Sequence, residues 1–348
     1  MSAGTSTSTK SIEYAAYELT NYDLTAIAPA TKKTEPLGPK DILVRIKACS
    51  LNYRDLLVAT GRYRKIQLPR VPLSDGAGEV VEVGSAVTSF KPGMRVSPNF
   101  MTGWHGGLIS PEVVQTDLGA GVDGVLRQYA VFDECSLVKI PDYLSFEEAA
   151  TLPCAALTAW NGLIENGNLK AGEVVLCMGS GGVSIFAMQL ALMSGAEVIA
   201  TSSSDEKLKR LKDLGASHVI NYKTTPDWEK EVVRLTRGRG VDHVVEVGGA
   251  GTLEKSAISV KLGGHISLIG VLAEPNPKSN HAVHLLMKAV KLQGVFVGSV
   301  EMYQRMNRAL EVHKLKPVID KVFEAQDIVE ALRYMQSGKH FGKVVVKI

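Results

Sequence analysis

The feature that most constrains this chain is a glycine cluster set between two different apolar patterns. Val174-Val175-Leu176-Cys177-Met178 carries no charged residue, the pattern of a strand buried on both faces of a parallel sheet. Gly179-Ser180-Gly181-Gly182-Val183-Ser184 comes directly after it, and a helical pattern then runs from Ser184 to Met193. In that order, glycines let the backbone turn tightly and approach a pyrophosphate. The charge of that group meets the free N–H groups of a helix N-terminus. Ser184 stands where a third glycine is usual, and a residue this small still permits close helix–strand packing. A plain strand-to-helix turn is the competing reading. The chain beyond the turn argues against it, with Val198-Ile199-Ala200, a helix over Asp205–Leu214, His218-Val219-Ile220, Val244-Val245, Ile266 to Ile269 and Val295-Phe296-Val297. Strands alternating with helices predict a parallel α/β sheet.

The end of the second strand of this series reads Thr201-Ser202-Ser203-Ser204. A site for NAD would place Asp or Glu there to hold the ribose 2′-hydroxyl, and that carboxylate would repel a 2′-phosphate. Here Ser202 and Ser203 offer hydroxyls, and Lys207 lies one turn into the next helix. This predicts NADPH as cofactor, since charged hydrogen bonds to phosphate contribute about 1.5–3 kcal/mol each. In the competing reading Ser204 only caps the helix and Lys207 is a solvated surface charge. Asp205 and Glu206 lie close by in sequence.

The first 150 residues are β-rich and irregular. Ile42–Ile46 and Glu79–Val83 read as strands, and Leu37-Gly38-Pro39 and Lys91-Pro92-Gly93 as turns. Residues 97–124 form a long stretch rich in Gly and Pro, a length usual for functional or mobile loops. Beyond Ser299 come a helix over Glu301–Leu315 and a last strand, Lys343–Val346.

Composition excludes other classes. With 39 basic and 36 acidic side chains the net charge is +3, too balanced for a nucleic-acid footprint. The four cysteines form no CxxC pair and read as reduced thiols. No apolar run reaches the roughly 20 residues that span a bilayer, so no membrane partner is expected. Met1 to Ser11 is a Ser/Thr-rich polar leader without a hydrophobic segment, hence no secretory signal. It has no acid but also no arginine, leaving a mitochondrial presequence as second choice to a cytoplasmic location.

Further segments carry a resemblance that extends from about Glu35 to Ile348. They include Leu51-Asn52-Tyr53-Arg54-Asp55, Gly76-Ala77-Gly78-Glu79-Val80, Lys91-Pro92-Gly93-Met94-Arg95-Val96 and Leu157-Thr158-Ala159-Trp160. Leu214-Gly215-Ala216, Gly240-Val241-Asp242, Ile269-Gly270-Val271 and Gly342-Lys343-Val344 complete the set. The chain resembles the medium-chain dehydrogenase/reductase superfamily. This implies an α/β fold with a GroES-like β-rich catalytic domain (residues 1–152), a Rossmann doubly wound parallel-sheet domain (153–300) and a C-terminal return to the catalytic domain (301–348). In the zinc alcohol dehydrogenases of that superfamily a catalytic metal is held by Cys, His and Cys. The matching positions here are Asn52, Ser74 and Cys154, and residues 90–130 lack the cysteines of the structural zinc loop. Asn and Ser are poor zinc ligands, so no metal is expected. The spacing of Asn52 and Tyr63 is similar to the quinone oxidoreductase and enoyl reductase branches. Val271 and Leu272 stand where some enoyl reductases carry a Lys, a departure from that branch.

Without a metal, the expected acceptors are those that spread charge by conjugation, namely quinones and α,β-unsaturated carbonyls. Tyr63 is the candidate proton donor or oxyanion partner, against a packed aromatic at a loop edge. Asn52 is the candidate hydrogen-bond donor to the substrate oxygen, against an Asx turn holding its loop. Arg54 and Asp55 read as an ion pair or cofactor-side contacts, and Trp104 and His105 as possible pocket residues. The resemblance implies Thr158, Gly270, Val271 and the Phe296-Val297 backbone beside the nicotinamide. It also implies adenine- or phosphate-end contacts from Tyr222 and Lys343, and a homodimer joined through a last Rossmann strand at Gly294–Gly298. Two alternatives remain open: NADPH-linked aldehyde or ketone reduction as an alcohol dehydrogenase would perform it, and a non-catalytic dinucleotide-binding protein.

Overall fold

All five residues of Val174–Met178 are buried, and the strand lies at the centre of a parallel sheet. The structure, a computed structural model, describes residues 11–270, 272 and 280–348. The reading of the leader at residues 1–10 and the cofactor contact assigned to Val271 lie outside the described residues. Across the six-stranded sheet the order is His218–Asn221, Glu197–Ser202, Val174–Met178, Val241–Glu246, Val260–Leu268 and Lys291–Gly294. The chain thus winds outward from Val174–Met178 and then returns to its other side at Val241–Glu246. Order reversal opens a crevice at the carboxyl ends of those two strands.

A second sheet holds the β-rich part. Asp41–Ser50 pairs antiparallel with Asp75–Val83, Tyr129–Asp133 and the C-terminal strand Lys343–Lys347, which in turn runs parallel to Ile319–Glu324. The last strand therefore joins the sheet built by the first part of the chain. Its entry touches the other sheet as well: the Gly342 N–H donates to Ser180 O at 2.9 Å. Buried residues of the segment 146–165 pack between the two halves.

One sequence expectation needs correction. Val295–Val297, and with it Gly294–Gly298, is not a strand; the last strand of the parallel sheet is Lys291–Gly294. Val295 N still donates to Leu268 O at 2.9 Å. Beyond it, two buried amides divert the chain: Asn161 Nδ2 donates to Val297 O at 2.6 Å and Asn99 Nδ2 to Gly298 O at 3.2 Å. Val297 consequently sits at φ +57°. The stretch 97–124 is a loop apart from the end of the strand Arg95–Pro98 and the short helix Pro111–Val114, and it is tied down from within. Its Asp117 is fully buried and accepts from Arg54 at 2.5 Å, from Arg64 and from the Gly121 N–H. Among the described residues no helix is long and apolar enough to cross a membrane.

Candidate functional site

A cavity of about 590 Å³ occupies the crevice and is closed on its other side by the β-rich part. The glycine turn forms its floor. Gly179 lies at φ +79°, a conformation that side chains with a Cβ rarely adopt. At Gly182, which opens the helix Gly182–Met193, an added Cβ would stand 2.5 Å from Cδ of Lys343. Ser184 explains how the third glycine can be dispensed with. Its Oγ donates to Met178 O at 2.5 Å, tying the first helical turn back to the strand. Gly179, Ser180, Gly181, Gly182 and Val183 all line the cavity.

At the end beside the second strand the wall is Ser202, Ser203, Lys207 and Tyr222. Ser204 does cap the helix Asp205–Asp213, accepting from Lys207 N at 3.4 Å. Yet Lys207 is not a freely solvated charge: its Nζ donates to Gly338 O at 2.7 Å and His340 O at 2.8 Å. Asp205 turns away to accept from Asn221 Nδ2 at 2.6 Å, and neither it nor Glu206 lines the cavity. His340, which sequence reading missed, lines it as well; burial, then Lys207 and Lys343, lowers its pKa to about 4. Among the described lining residues there are Arg54, Lys207 and Lys343 but no carboxylate. A cavity whose described lining is cationic and carries no acid, set at a helix N-terminus, fits a polyanionic dinucleotide.

The opposite end gathers Asn52, Tyr63, Phe100, Cys154, Thr158, Gly270, Phe296 and Val297. Asn52 precedes the helix Tyr53–Ala59, and its N–H donates to Asp55 Oδ2 at 2.8 Å. The Arg54 guanidinium lies over two rings, 5.0 Å from the Tyr63 centroid and 4.7 Å from that of Phe100. Asp55, 3.6 Å from Arg54, has its carboxyl pushed up to about 6 by burial, with Arg54 and the Asn52 N–H opposing the shift. Burial likewise raises the Tyr63 phenol, which stays protonated at neutral pH. Trp104 and His105 do not line the cavity; the Trp104 indole N–H donates to Gly107 O at 3.1 Å.

Lys343 differs most from its sequence reading. Its stem lies over Gly182, but the ammonium points away from the Ser202–Lys207 end and donates to Leu51 O and Asn52 Oδ1, both at 2.6 Å. This places a buried cation at the end where Asn52 and Cys154 meet, beside the Asp75 carboxylate, which burial raises and Lys343 holds down.

Fold and cavity together define a dinucleotide-dependent oxidoreductase built from a β-rich unit and a parallel-sheet unit. Residues 38–142 match the alcohol dehydrogenase GroES-like domain, and residues 182–312 match the zinc-binding dehydrogenase family. A zinc-type alcohol dehydrogenase-like protein of Schizosaccharomyces pombe is 46% identical over 320 residues, covering 90% of this chain and 92% of its own. The crystal structure of a candidate alcohol dehydrogenase of Sinorhizobium meliloti shares 40% identity and a TM-score of 0.87, covering 98% of this chain and 99% of its own. A structure described as an NAD-dependent alcohol dehydrogenase has 34% identity and a TM-score of 0.87, with 96% and 99% covered. The chain belongs to the medium-chain dehydrogenase/reductase superfamily, whose members bind a nicotinamide dinucleotide.

The family description implies a catalytic zinc, and the residues at its ligand positions do not fit one. Asn52 Oδ1 accepts from an ammonium at 2.6 Å, and Ser74 Oγ donates to Asp75 Oδ1 at 2.6 Å. Burial, reinforced by Asp75, pushes the Cys154 thiol well up, so it is held protonated. Two neutral oxygens and a protonated thiol beside a fixed cation are a poor donor set for Zn²⁺, which requires thiolate, neutral imidazole or carboxylate.

Proposed function

We propose that this protein is an NADPH-dependent reductase that delivers hydride to a quinone or an α,β-unsaturated carbonyl without a catalytic metal. The observation that carries the reading is the Lys343–Asn52 hydrogen bond at the reacting end, at a position where a zinc enzyme needs a ligand. NADPH, when bound, supplies the hydride. Gly179–Val183 and the helix N-terminus would hold its pyrophosphate, Ser202, Ser203, Lys207 and Tyr222 the 2′-phosphorylated adenosine, and Thr158, Gly270, Phe296 and Val297 the nicotinamide. Asn52 then orients the acceptor oxygen. Tyr63, kept protonated by burial, donates the proton that completes reduction. Conjugated acceptors suit this site because they delocalise the charge that zinc would otherwise stabilise.

The names of the relatives favour a second reading, reduction of a simple aldehyde or ketone to an alcohol. One experiment separates the two. NADPH oxidation is followed with a quinone, an enone and an aldehyde before and after dialysis against chelator, with product analysis. Turnover of the first two acceptors, C=C saturation and indifference to chelation are expected. Alcohol as the only product, or activity lost to chelator and restored by zinc, refutes the proposal. Turnover of no acceptor at all returns the reading to a binding protein.

We further propose a homodimer. All four residues of the edge strand Lys291–Gly294 are exposed, and an unpaired edge invites a partner. Beside it Leu262, Leu286 and Met287 are each more than 70% exposed, and the Gly263 N–H to Lys288 O bond at 2.7 Å holds their segments together.

A further inference from the structure

Two buried asparagines from different parts of the chain hold consecutive carbonyls in the segment that leaves the parallel sheet. Asn161, 3% exposed, donates through Nδ2 to Val297 O at 2.6 Å, and its own Oδ1 accepts from Asn166 Nδ2 at 2.7 Å. Asn99, fully buried, donates to Gly298 O at 3.2 Å. Val297, whose own carbonyl is the first of these anchors, occupies the left-handed region at φ +57°. For a β-branched residue this conformation is strained, and strain persists only where its surroundings over-determine it. Val297 faces the cavity, and among the described residues no protein acceptor takes its N–H. Asn161 also opens a π-helical turn, Asn161–Glu165. A second such turn, Leu152–Ala156, lies on the other side of Thr158. π-Helical turns are uncommon and recur at functional sites.

We propose that Asn161 is a positioning residue for the nicotinamide ring. By gripping the Val297 carbonyl it fixes the strained peptide, and so aims the unpartnered Val297 N–H at an amide oxygen of the cofactor. This rests on the dinucleotide placement proposed above. The strain makes the grip necessary: released, Val297 would relax to negative φ and the N–H would swing off the cavity. Asn166 acts one step behind by fixing the Asn161 amide.

The test compares two ligands that differ only in the ring. Binding of NADPH and of 2′-phospho-ADP-ribose is measured calorimetrically for the unaltered protein and for Asn161→Leu, along with kcat on the best acceptor. The expected result is a Kd for NADPH raised about tenfold, roughly the loss of one buried hydrogen bond, with a lowered kcat and a Kd for 2′-phospho-ADP-ribose unchanged within twofold. In a Val297→Gly background, where φ > 0 is unstrained, Asn161→Leu should cost NADPH binding less. Should Asn161→Leu not fold, Asn166→Ala reads the same discrimination at about a third of the size. Equal weakening of both ligands, or no change in either, overturns the proposal. An unaltered protein that binds neither ligand refutes the dinucleotide reading instead. One that prefers NADH moves the same comparison to NADH and ADP-ribose.

Discussion

Lys343→Met keeps the stem that lies over Gly182 and removes only the ammonium. That ammonium is buried and donates two bonds of 2.6 Å, to Leu51 O and Asn52 Oδ1. It also opposes the burial of Asp75 and Asp55. Deleting one member of a buried charged set costs about 3–5 kcal/mol, because the groups it served stay buried. At about 2.1 cal/mol/K of unfolding entropy per residue, a chain of 348 residues gains roughly 0.7 kcal/mol/K, so Tm should fall by about 4–7 °C. The pH dependence comes from the carboxyls. A carboxyl with a raised folded pKa contributes stability below its unfolded pKa and loses it as pH rises through the folded value. Without Lys343 the folded values of Asp75 and Asp55 rise further, so the Tm difference should widen from pH 5 to pH 8. Circular dichroism melts at four pH values would measure it. A difference below 1 °C throughout, or one larger in acid, refutes the electrostatic role given to Lys343.

Lys207→Ala should raise the KM for NADPH about tenfold more than that for NADH, the low end for a charged hydrogen bond because the ammonium already serves two carbonyls; equal effects in initial-rate kinetics would remove Lys207 from phosphate recognition. Asp55→Asn retains an oxygen for the Asn52 N–H. Since the Asp55 carboxyl is pushed up to about 6 in the fold, the variant should gain stability relative to the unaltered protein between pH 4 and pH 7; a pH-independent Tm difference contradicts this. Leu286→Glu should convert a dimer to monomers in light scattering, and a dimer unaffected by it must use another face. Tyr63→Phe should lower kcat up to about a hundredfold while NADPH affinity holds, and an unchanged kcat on every acceptor makes Tyr63 a wall of the pocket.

The parallel sheet was legible because its information is local. A wholly apolar run at 174–178, glycines at 179, 181 and 182 and a helix after them can be read without knowing what packs on them. Ser202 and Ser203 line the cavity because they end the neighbouring strand, a placement that is also local in the sequence. The strand assigned to Val295–Val297 was misread because its three residues have high β-propensity, and propensity cannot see Asn161 and Asn99 capturing the next carbonyls from more than a hundred residues away. Arg54 offers a similar case. Its neighbours in sequence suggest an ion pair with Asp55, which exists at 3.6 Å, but the rings of Tyr63 and Phe100 that it packs over come from separate loops.

Lys343 shows how the return of the chain completes the site. Gly342-Lys343-Val344 reveals a basic residue beside a glycine, yet its place depends on pairings that span nearly the whole protein. Val345 lies opposite Ser50 and Lys343 opposite Ile319, while the Gly342 N–H reaches Ser180 in the glycine turn that follows the central strand of the other sheet. Those three ties fix the direction of the Lys343 stem across Gly182 and leave its ammonium on Asn52. A glycine at 182 therefore has two reasons to be there. It leaves the helix N-terminus open to the cavity, where a pyrophosphate is proposed to lie, and it leaves room for the side chain that carries positive charge to Asn52. Any larger residue at 182 would force Lys343 aside, so the turn proposed to hold the cofactor also sets the electrostatics around Asn52.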